Sequence, residues 1–279
     1  STRRQRERVP GATARARRHD GRDRGDGAMK RAGTAWIIGA SSGIGRELAR
    51  ELAGRGWQVV VSARNADALA ALRDEHAGAI IDVAFDVLDA TALTTALDAV
   101  ATRAGNVDLL ICAAAFWRMG GLDDTTPEDF SRTLETNVVA PFRIIGATLA
   151  AGLLSPGATV AVISSVAGFN GLPNAVAYGS SKAALTHMAE SLRFDLAARG
   201  YRMSVVHPGF VATPMTANNP FPMPFIMPAD AAARRILAGV ERGRFEIAFP
   251  RRLVWILKLI RALPYALGFP LLKHLTGSS

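Results

Sequence analysis

Tyr178 and Lys182 lie four residues apart in a segment with a helical pattern, so their side chains share one face with Cβ atoms about 5 to 6 Å apart. A phenol titrates near pH 10, at roughly the value of a free tyrosine, and moves protons poorly at neutral pH. A neighbouring ammonium favours the phenolate and lowers that value, so the pair can serve as an acid/base unit. Ser165 stands in Ile163-Ser164-Ser165-Val166-Ala167-Gly168, at the end of a predicted strand, where its hydroxyl could meet a substrate oxygen. On its own a Tyr-x-x-x-Lys pair is also an ordinary feature of a helix surface. Its meaning depends on what surrounds it.

A second chemical feature precedes it. The run Gly39-Ala40-Ser41-Ser42-Gly43-Ile44-Gly45 closes a predicted strand and opens a predicted helix. Glycines there allow a tight turn and let a phosphate approach the unpaired N–H groups and positive end of the helix. The spacing is G-x3-G-x-G rather than the commoner G-x-G-x-x-G, and an ordinary strand-to-helix turn remains the alternative. In a dinucleotide site the end of the next strand selects the cofactor: an acid binds a ribose 2'-hydroxyl, a cation a 2'-phosphate. Here that strand ends Val61-Ser62-Ala63-Arg64, with no acid and with a guanidinium suited to phosphate. The offset favours NADP(H) over NAD(H).

These residues need a scaffold, and the chain supplies one from Thr34 onward by alternating short β-branched runs with longer helical patterns. Strands are predicted at 34–38, 58–62, 80–85, 108–111, 159–163, 202–206 and 244–248, and helices at 44–53, 66–75, 90–102, 127–151, 177–198 and 229–239. No repeat and no interior linker is visible. The expected fold is α/β, a single doubly wound domain with a parallel sheet of about seven strands covered by helices on both faces. It should span 29–249, between an extension at 1–28 and a C-terminal segment at 250–279.

Composition agrees with a packed core, at 49% hydrophobic residues in 279, and excludes a fibrous or wholly disordered chain. The net charge of +9 is not a patch on the fold: 1–28 carries nine Arg against four acids and 242–279 seven basic residues against one acid, leaving 29–241 slightly negative. Nucleic acid is therefore not the expected partner. The first 28 residues have almost no large apolar side chains and are read as disordered. A dispensable extension ahead of Met29 is preferred to a basic arm or a transit peptide. One cysteine, Cys112, forms no internal disulfide and has no basic neighbour to activate it, so it is read as a small buried hydrophobe. The five histidines, His187 and His207 among them, lack ligand spacing, and no metal is expected. With neither a signal sequence nor a run of about 18 uncharged apolar residues, the expected location is cytoplasmic.

Taken together, the glycine turn, Ser165, Tyr178-x-x-x-Lys182 and Pro208-Gly209 after the sixth strand resemble the classical short-chain dehydrogenase/reductase family over about 34–241. The thirteen-residue step from Ser165 to Tyr178 fits the family spacing. The resemblance implies a Rossmann-type fold in which Tyr178 is the acid/base, Ser165 orients the substrate carbonyl, and Lys182 binds the nicotinamide ribose while lowering the tyrosine. Asn137, in Glu135-Thr136-Asn137-Val138, would hold a proton-relay water, its alternative being a buried amide bonded to backbone. Cofactor contacts carried over are Gly39, Ser41, Ser42, Gly43, Ile44 and Gly45, with Arg64. Asp86 and Val87 would meet the adenine, and Pro208, Gly209, Val211 and Thr213 the nicotinamide. Asp86 could instead cap the next helix. Two positions depart from the pattern: Ile38 replaces a threonine, and Cys112-Ala113-Ala114-Ala115 replaces Asn-Asn-Ala-Gly, removing hydrogen bonds near the adenosine ribose where Ala113 and Ala114 now stand.

The loop 214–228 holds five prolines, two Phe and three Met, unusually apolar for an exposed loop, and matches the family's substrate lid. The function implied is hydride transfer between NADP(H) and the carbon of a hydrophobic carbonyl or alcohol, in a homo-oligomer. A non-catalytic nucleotide sensor or scaffold on the same fold is the alternative, against which the intact acid/base set stands. The tail reads as an amphipathic helix over 251–263, ended by Pro264. Arg251, Lys258 and Arg261 line one face, and Trp255, Ile256, Leu259 and Leu263 the opposite one. Two fates suit it: peripheral contact with an anionic membrane surface, or docking on its own substrate pocket or another subunit.

Overall fold

A computed structural model describes residues 32–217, 219 and 222–276; the extension read at 1–28 lies outside the described residues. Strands β1 (Thr34–Ile38), β2 (Gln58–Ser62), β3 (Ile80–Asp82), β4 (Val107–Cys112), β5 (Leu154–Ile163) and β6 (Arg202–Pro208) form the main sheet with a last strand, Glu246–Phe249. Between β6 and that strand, β7 (Val211–Ala212) and β8 (Met227–Pro228) pair separately, and the last strand is therefore β9. The seven-stranded sheet has the order β3-β2-β1-β4-β5-β6-β9, and every pairing in it is parallel. This is the doubly wound, Rossmann-like fold.

Helices α1 (Gly43–Gly54), α2 (Ala66–Glu75), α3 (Ala90–Ala104), α4 (Pro127–Leu134), α5 (Ala140–Ala150), α6 (Val176–Ala198) and α7 (Ala229–Glu241) make the crossovers, followed by α8 (Arg251–Ala262) and α9 (Tyr265–Thr276). All five residues of β1 are buried because each face of the sheet is covered. Ala35 and Ile37 pack with Leu48, Leu52 and Ile236 from α1 and α7, whereas Trp36 and Ile38 pack with Leu97, Ile144 and Leu185 from α3, α5 and α6. A third cluster joins α8 and α9 to Val166, Phe169 and Phe210.

Several elements differ from expectation, among them β3, expected over 80–85, which ends at Asp82. The helix predicted over 127–151 is α4 and α5 joined by a π-helical turn, Glu135–Val139. Pro141 has no N–H to give the carbonyl four residues back, that of Asn137, and the helix widens there. β5 begins at Leu154, earlier than expected, and pairs with β4 across a register shift between Val107 and Leu109. The tail contains a second helix, α9, beyond Pro264. No helix among the described residues is long and apolar enough to cross a membrane.

Within this frame one buried titratable group is expected to weaken the fold in acid. His207, on β6, is 1% exposed, and its Nε2 lies 3.1 Å from the Thr186 hydroxyl. Burial lowers its pKa to about 4; Glu246 opposes the shift, and Lys258 and Lys182 add to it. The folded state thus takes up this proton later than the unfolded chain, whose imidazole titrates near pH 6.5. The neutral ring costs nothing above about pH 6.5, and stability falls as the pH drops toward 4, by up to about 3 kcal/mol. We expect His207→Asn to narrow the gap between melting temperatures measured at about pH 7 and about pH 4.5. An unchanged gap would show that carboxylates alone set the acid limit.

Candidate active site

β1 and β4 are neighbours, yet the chain leaves them toward opposite sides of the sheet, and a crevice opens beyond their C-terminal ends. A cavity of about 670 Å³ fills it. Its floor is bare backbone. Gly39 has φ +94°, and a Cβ there would stand 2.4 Å from the Ala114 nitrogen. A Cβ on Gly45 would meet the Gly39 carbonyl oxygen at 2.1 Å. Helix α1 begins at this floor with no side-chain cap from Ser42 and no acid in its first turn. Free N–H groups and an uncompensated positive helix end facing a cavity fit a dinucleotide pyrophosphate. Arg64 reaches the same cavity beyond β2, beside Ala63 and Asn65. Arg46, the other cation near the turn, is already held by Glu75 at 2.6 Å.

At the far end of the cavity, β5 delivers Ser165 and α6 delivers Tyr178 and Lys182. Ser165 lies close enough to Tyr178 for its hydroxyl to favour the phenolate, and the Ser165 oxygen accepts the Ala167 N–H at 3.1 Å. Lys182 is 1% exposed, and its Nζ donates to the Ile163 carbonyl at 2.8 Å, 5.4 Å from the Tyr178 ring centroid. Ser164 secures the same junction by donating to the Lys182 carbonyl at 2.9 Å. Burial opposes charge on both partners, lowering Lys182 to about 7 and raising Tyr178 to about 12. The lowered tyrosine expected from a neighbouring ammonium is therefore not seen. Desolvation draws the amine itself toward neutrality, and only the nearby Ser165 hydroxyl pulls the phenol down.

Every sequence-derived candidate but one lines this cavity: Ser41, Ser42, Gly43, Ile44, Asp86, Val87, Ala113, Pro208, Gly209, Val211 and Thr213 join those above. The exception is Asn137. It is fully buried, its Oδ1 accepts the Phe116 N–H at 2.7 Å, and its Nδ2 donates to the Phe116 carbonyl and the Ser181 hydroxyl. The amide thus ties the π-helical turn to the loop after β4 and to α6. Asp86 does not cap α3; its carboxylate accepts the Leu88 N–H, and Asp89 caps the helix through Thr91 and Ala92. Cys112 is buried, and desolvation pushes its thiol up to about 12.

The sequence reading missed several wall residues. Phe116 and Arg132 line the cavity beside Met215 of the expected 214–228 loop, with the Arg132 guanidinium 4.9 Å from the Phe116 ring centroid. Trp117 packs edge-on against Tyr178 at 4.7 Å, and its indole N–H points to the Asn219 amide oxygen in the 214–228 loop, 3.4 Å away. No spacing rule marks a single tryptophan or arginine so far along the chain from Tyr178, so the sequence offered no signal for either. Among the described residues no group of three or more His, Cys, Asp or Glu side chains could hold a metal ion.

The family model for short chain dehydrogenase matches residues 33–221. An uncharacterized oxidoreductase of Myxococcus xanthus (strain DK1622) is 37% identical over 237 residues, covering 83% of this chain and 92% of that protein. The 3-oxoacyl-[acyl-carrier-protein] reductase FabG of Escherichia coli (strain K12) is 31% identical, over 65% of this chain and 75% of that one. Among solved structures, a single-site variant of actinorhodin polyketide ketoreductase with NADPH aligns with a TM-score of 0.70 at 25% identity, covering 80% of this chain and 96% of that one. A short chain dehydrogenase/reductase from Burkholderia phymatum in complex with NAD shares the fold, with a TM-score of 0.74 at 24% identity over 82% and 92% of the two chains. With the glycine cradle and the Ser165, Tyr178 and Lys182 cluster in one cavity, these matches mean that the chain belongs to the classical short-chain dehydrogenase/reductase family, NAD(P)-dependent oxidoreductases acting on CH–OH and C=O groups.

Proposed function

We propose that this enzyme uses NADP(H) in preference to NAD(H) to interconvert a hydrophobic carbonyl compound and its alcohol, with Tyr178 as the acid/base. The observation that carries the reading is the convergence of Ser165, Tyr178 and the buried Lys182 in one cavity whose other end is the glycine cradle. Bound across that cavity, the nicotinamide dinucleotide supplies or takes the hydride.

The chain's own residues handle the proton. A substrate oxygen set between the two hydroxyls would accept a hydrogen bond from Ser165 and, in reduction, the proton from Tyr178. Burial keeps that proton on the phenol at neutral pH, up to about 12, so the acid form is the resting one. Lys182 would hold a ribose hydroxyl with its amine and return a proton to the tyrosine. Asn137 acts on the site through the Phe116 backbone and Ser181, as a positioning residue. Arg64 supports the cofactor preference, because no acid stands beside it at the end of β2 to receive a 2'-hydroxyl. Phe116 and Met215 in the wall support a hydrophobic substrate, as do Phe225 and Ile226, left 47% and 45% exposed on the 214–228 loop. A second copy of the chain is the proposed partner for Phe142 and Phe194, 56% and 75% exposed on α5 and α6.

The direct test is NADPH oxidation against aliphatic, aromatic, steroid and acyl-chain carbonyls, and turnover of none of them would count against the substrate class. On any substrate found, Tyr178→Phe should lower kcat by at least about a hundredfold with little change in cofactor affinity, since the ring stays and the proton goes. Near-normal turnover would remove Tyr178 from the chemistry. Arg64→Ala should weaken NADPH by about tenfold or more while leaving NADH nearly unchanged, measured by titrating each cofactor. Equal weakening of both would mean that Arg64 does not read the 2'-phosphate.

A further inference from the structure

The C-terminal helices have two apolar surfaces. The inner one, Leu253, Val254, Leu257 and Ile260, is buried against Phe169, Leu172 and Phe210. Asn170, itself buried, adds a hydrogen bond of 2.9 Å to the Leu257 carbonyl. Helix α9 folds back on α8 so closely that a Cβ on Gly268 would stand 3.3 Å from the Ile260 carbonyl oxygen. This docking leaves the apolar face read from the sequence largely uncovered. Trp255 and Leu259 remain 70% and 67% exposed, with Ile256 at 38%. On α9, Tyr265 and Phe269 stack at 5.1 Å in solvent, and Leu271 is 45% exposed. Docking on the fold and offering an apolar surface are therefore not alternatives; opposite sides of the same helix do both.

Charge decides what covers the outer side. After Glu246 the sequence has no acidic residue, but it has Arg251, Arg252, Lys258, Arg261 and Lys273. Lys258 is held by Glu246 at 2.6 Å, and no ion pair among the described residues engages Arg251, Arg252 or Lys273. A second copy laid on this face would set cations against cations. A spanning role is closed to helices of 12 residues each. A surface that offers hydrocarbon and dense negative charge together satisfies both features. We propose that the outer face of α8 and α9 is an interfacial anchor that lies in the plane of an anionic lipid surface, with its apolar side chains below the headgroups and its free cations among the phosphates. The buried inner row then fixes the orientation of the enzyme on that surface.

The test is flotation of the full chain with phosphatidylcholine vesicles, with and without phosphatidylglycerol. The expected result is binding to the anionic vesicles at about 0.1 M salt that weakens at least about tenfold at about 0.5 M. Trp255→Ser with Leu259→Ser should lower that binding by at least about tenfold with an unchanged melting temperature, since both side chains are exposed in the folded protein. Arg251→Glu with Arg252→Glu should do the same through charge alone. A chain lacking 1–28 should float as well as the full chain. Failure of the full chain to float at low salt overturns the proposal, as does binding that depends on 1–28 and ignores the α8 substitutions. If Trp255→Ser with Leu259→Ser instead dissociates an oligomer in sedimentation, the face is a contact between subunits and the proposal also fails. These readouts require no turnover, so they stand or fall separately from the proposed reaction.

Discussion

A buried amine holds the reactive end of this protein together. The Lys182 Nζ reaches the Ile163 carbonyl at 2.8 Å across the junction of β5 and α6, and in doing so sets Tyr178 beside Ser165. Ionised and stripped of water, such a group would be costly to bury, and the response is a pKa drawn down to about 7. Ser164 and Thr186 complete the junction through the Lys182 carbonyl, with Thr186 passing the network on to His207 under α8. A change in how α6 meets the sheet would move both hydroxyls at once, because neither is positioned independently.

At the other end of the cavity the controlling factor is an absence of side chain. Gly39 and Gly45 pass within contact distance of the Ala114 and Gly39 backbones, so the turn, the loop after β4 and the start of α1 form one surface of main-chain groups. The substitution of alanines for the family's Asn-Asn-Ala-Gly leaves this packing intact, since the close contact is to backbone.

The C-terminal segment supports the Ser165 end of the cavity. Gly209 lies under Pro250 and Leu253, where a Cβ would come within 2.9 Å and 3.1 Å, and Asn170 ties the loop after Ser165 to α8. Helix α8 thus backs both the Pro208-Gly209 segment and the Ser165 loop. It is part of the scaffold of the site while its outer side stays free.

The doubly wound architecture was legible in the chain because a parallel sheet covered on both faces demands short runs rich in buried apolar and β-branched residues, as in the TAWII of β1, the VVV of β2 and the VV of β6. Most of the candidate site was legible for a local reason: Gly39 to Gly45 and Tyr178 to Lys182 each lie within a single turn or two, where spacing alone dictates geometry. The π-helical turn through Asn137 was not, since its cause is the missing N–H of Pro141 acting on a helix that pattern alone reads as continuous. Nor was the commitment of the Asn137 amide to Phe116, or the contact of Trp117 with Tyr178, because these partners are far apart in sequence and meet only when β4 and α6 are packed. The tail shows the division most sharply. Sequence periodicity determined that residues 251–262 form an amphipathic helix rich in cations. Which of its apolar rows is buried was decided only by the tertiary structure, because that choice depends on the shape of the surface offered by Phe169, Leu172 and Phe210, and no local pattern encodes it.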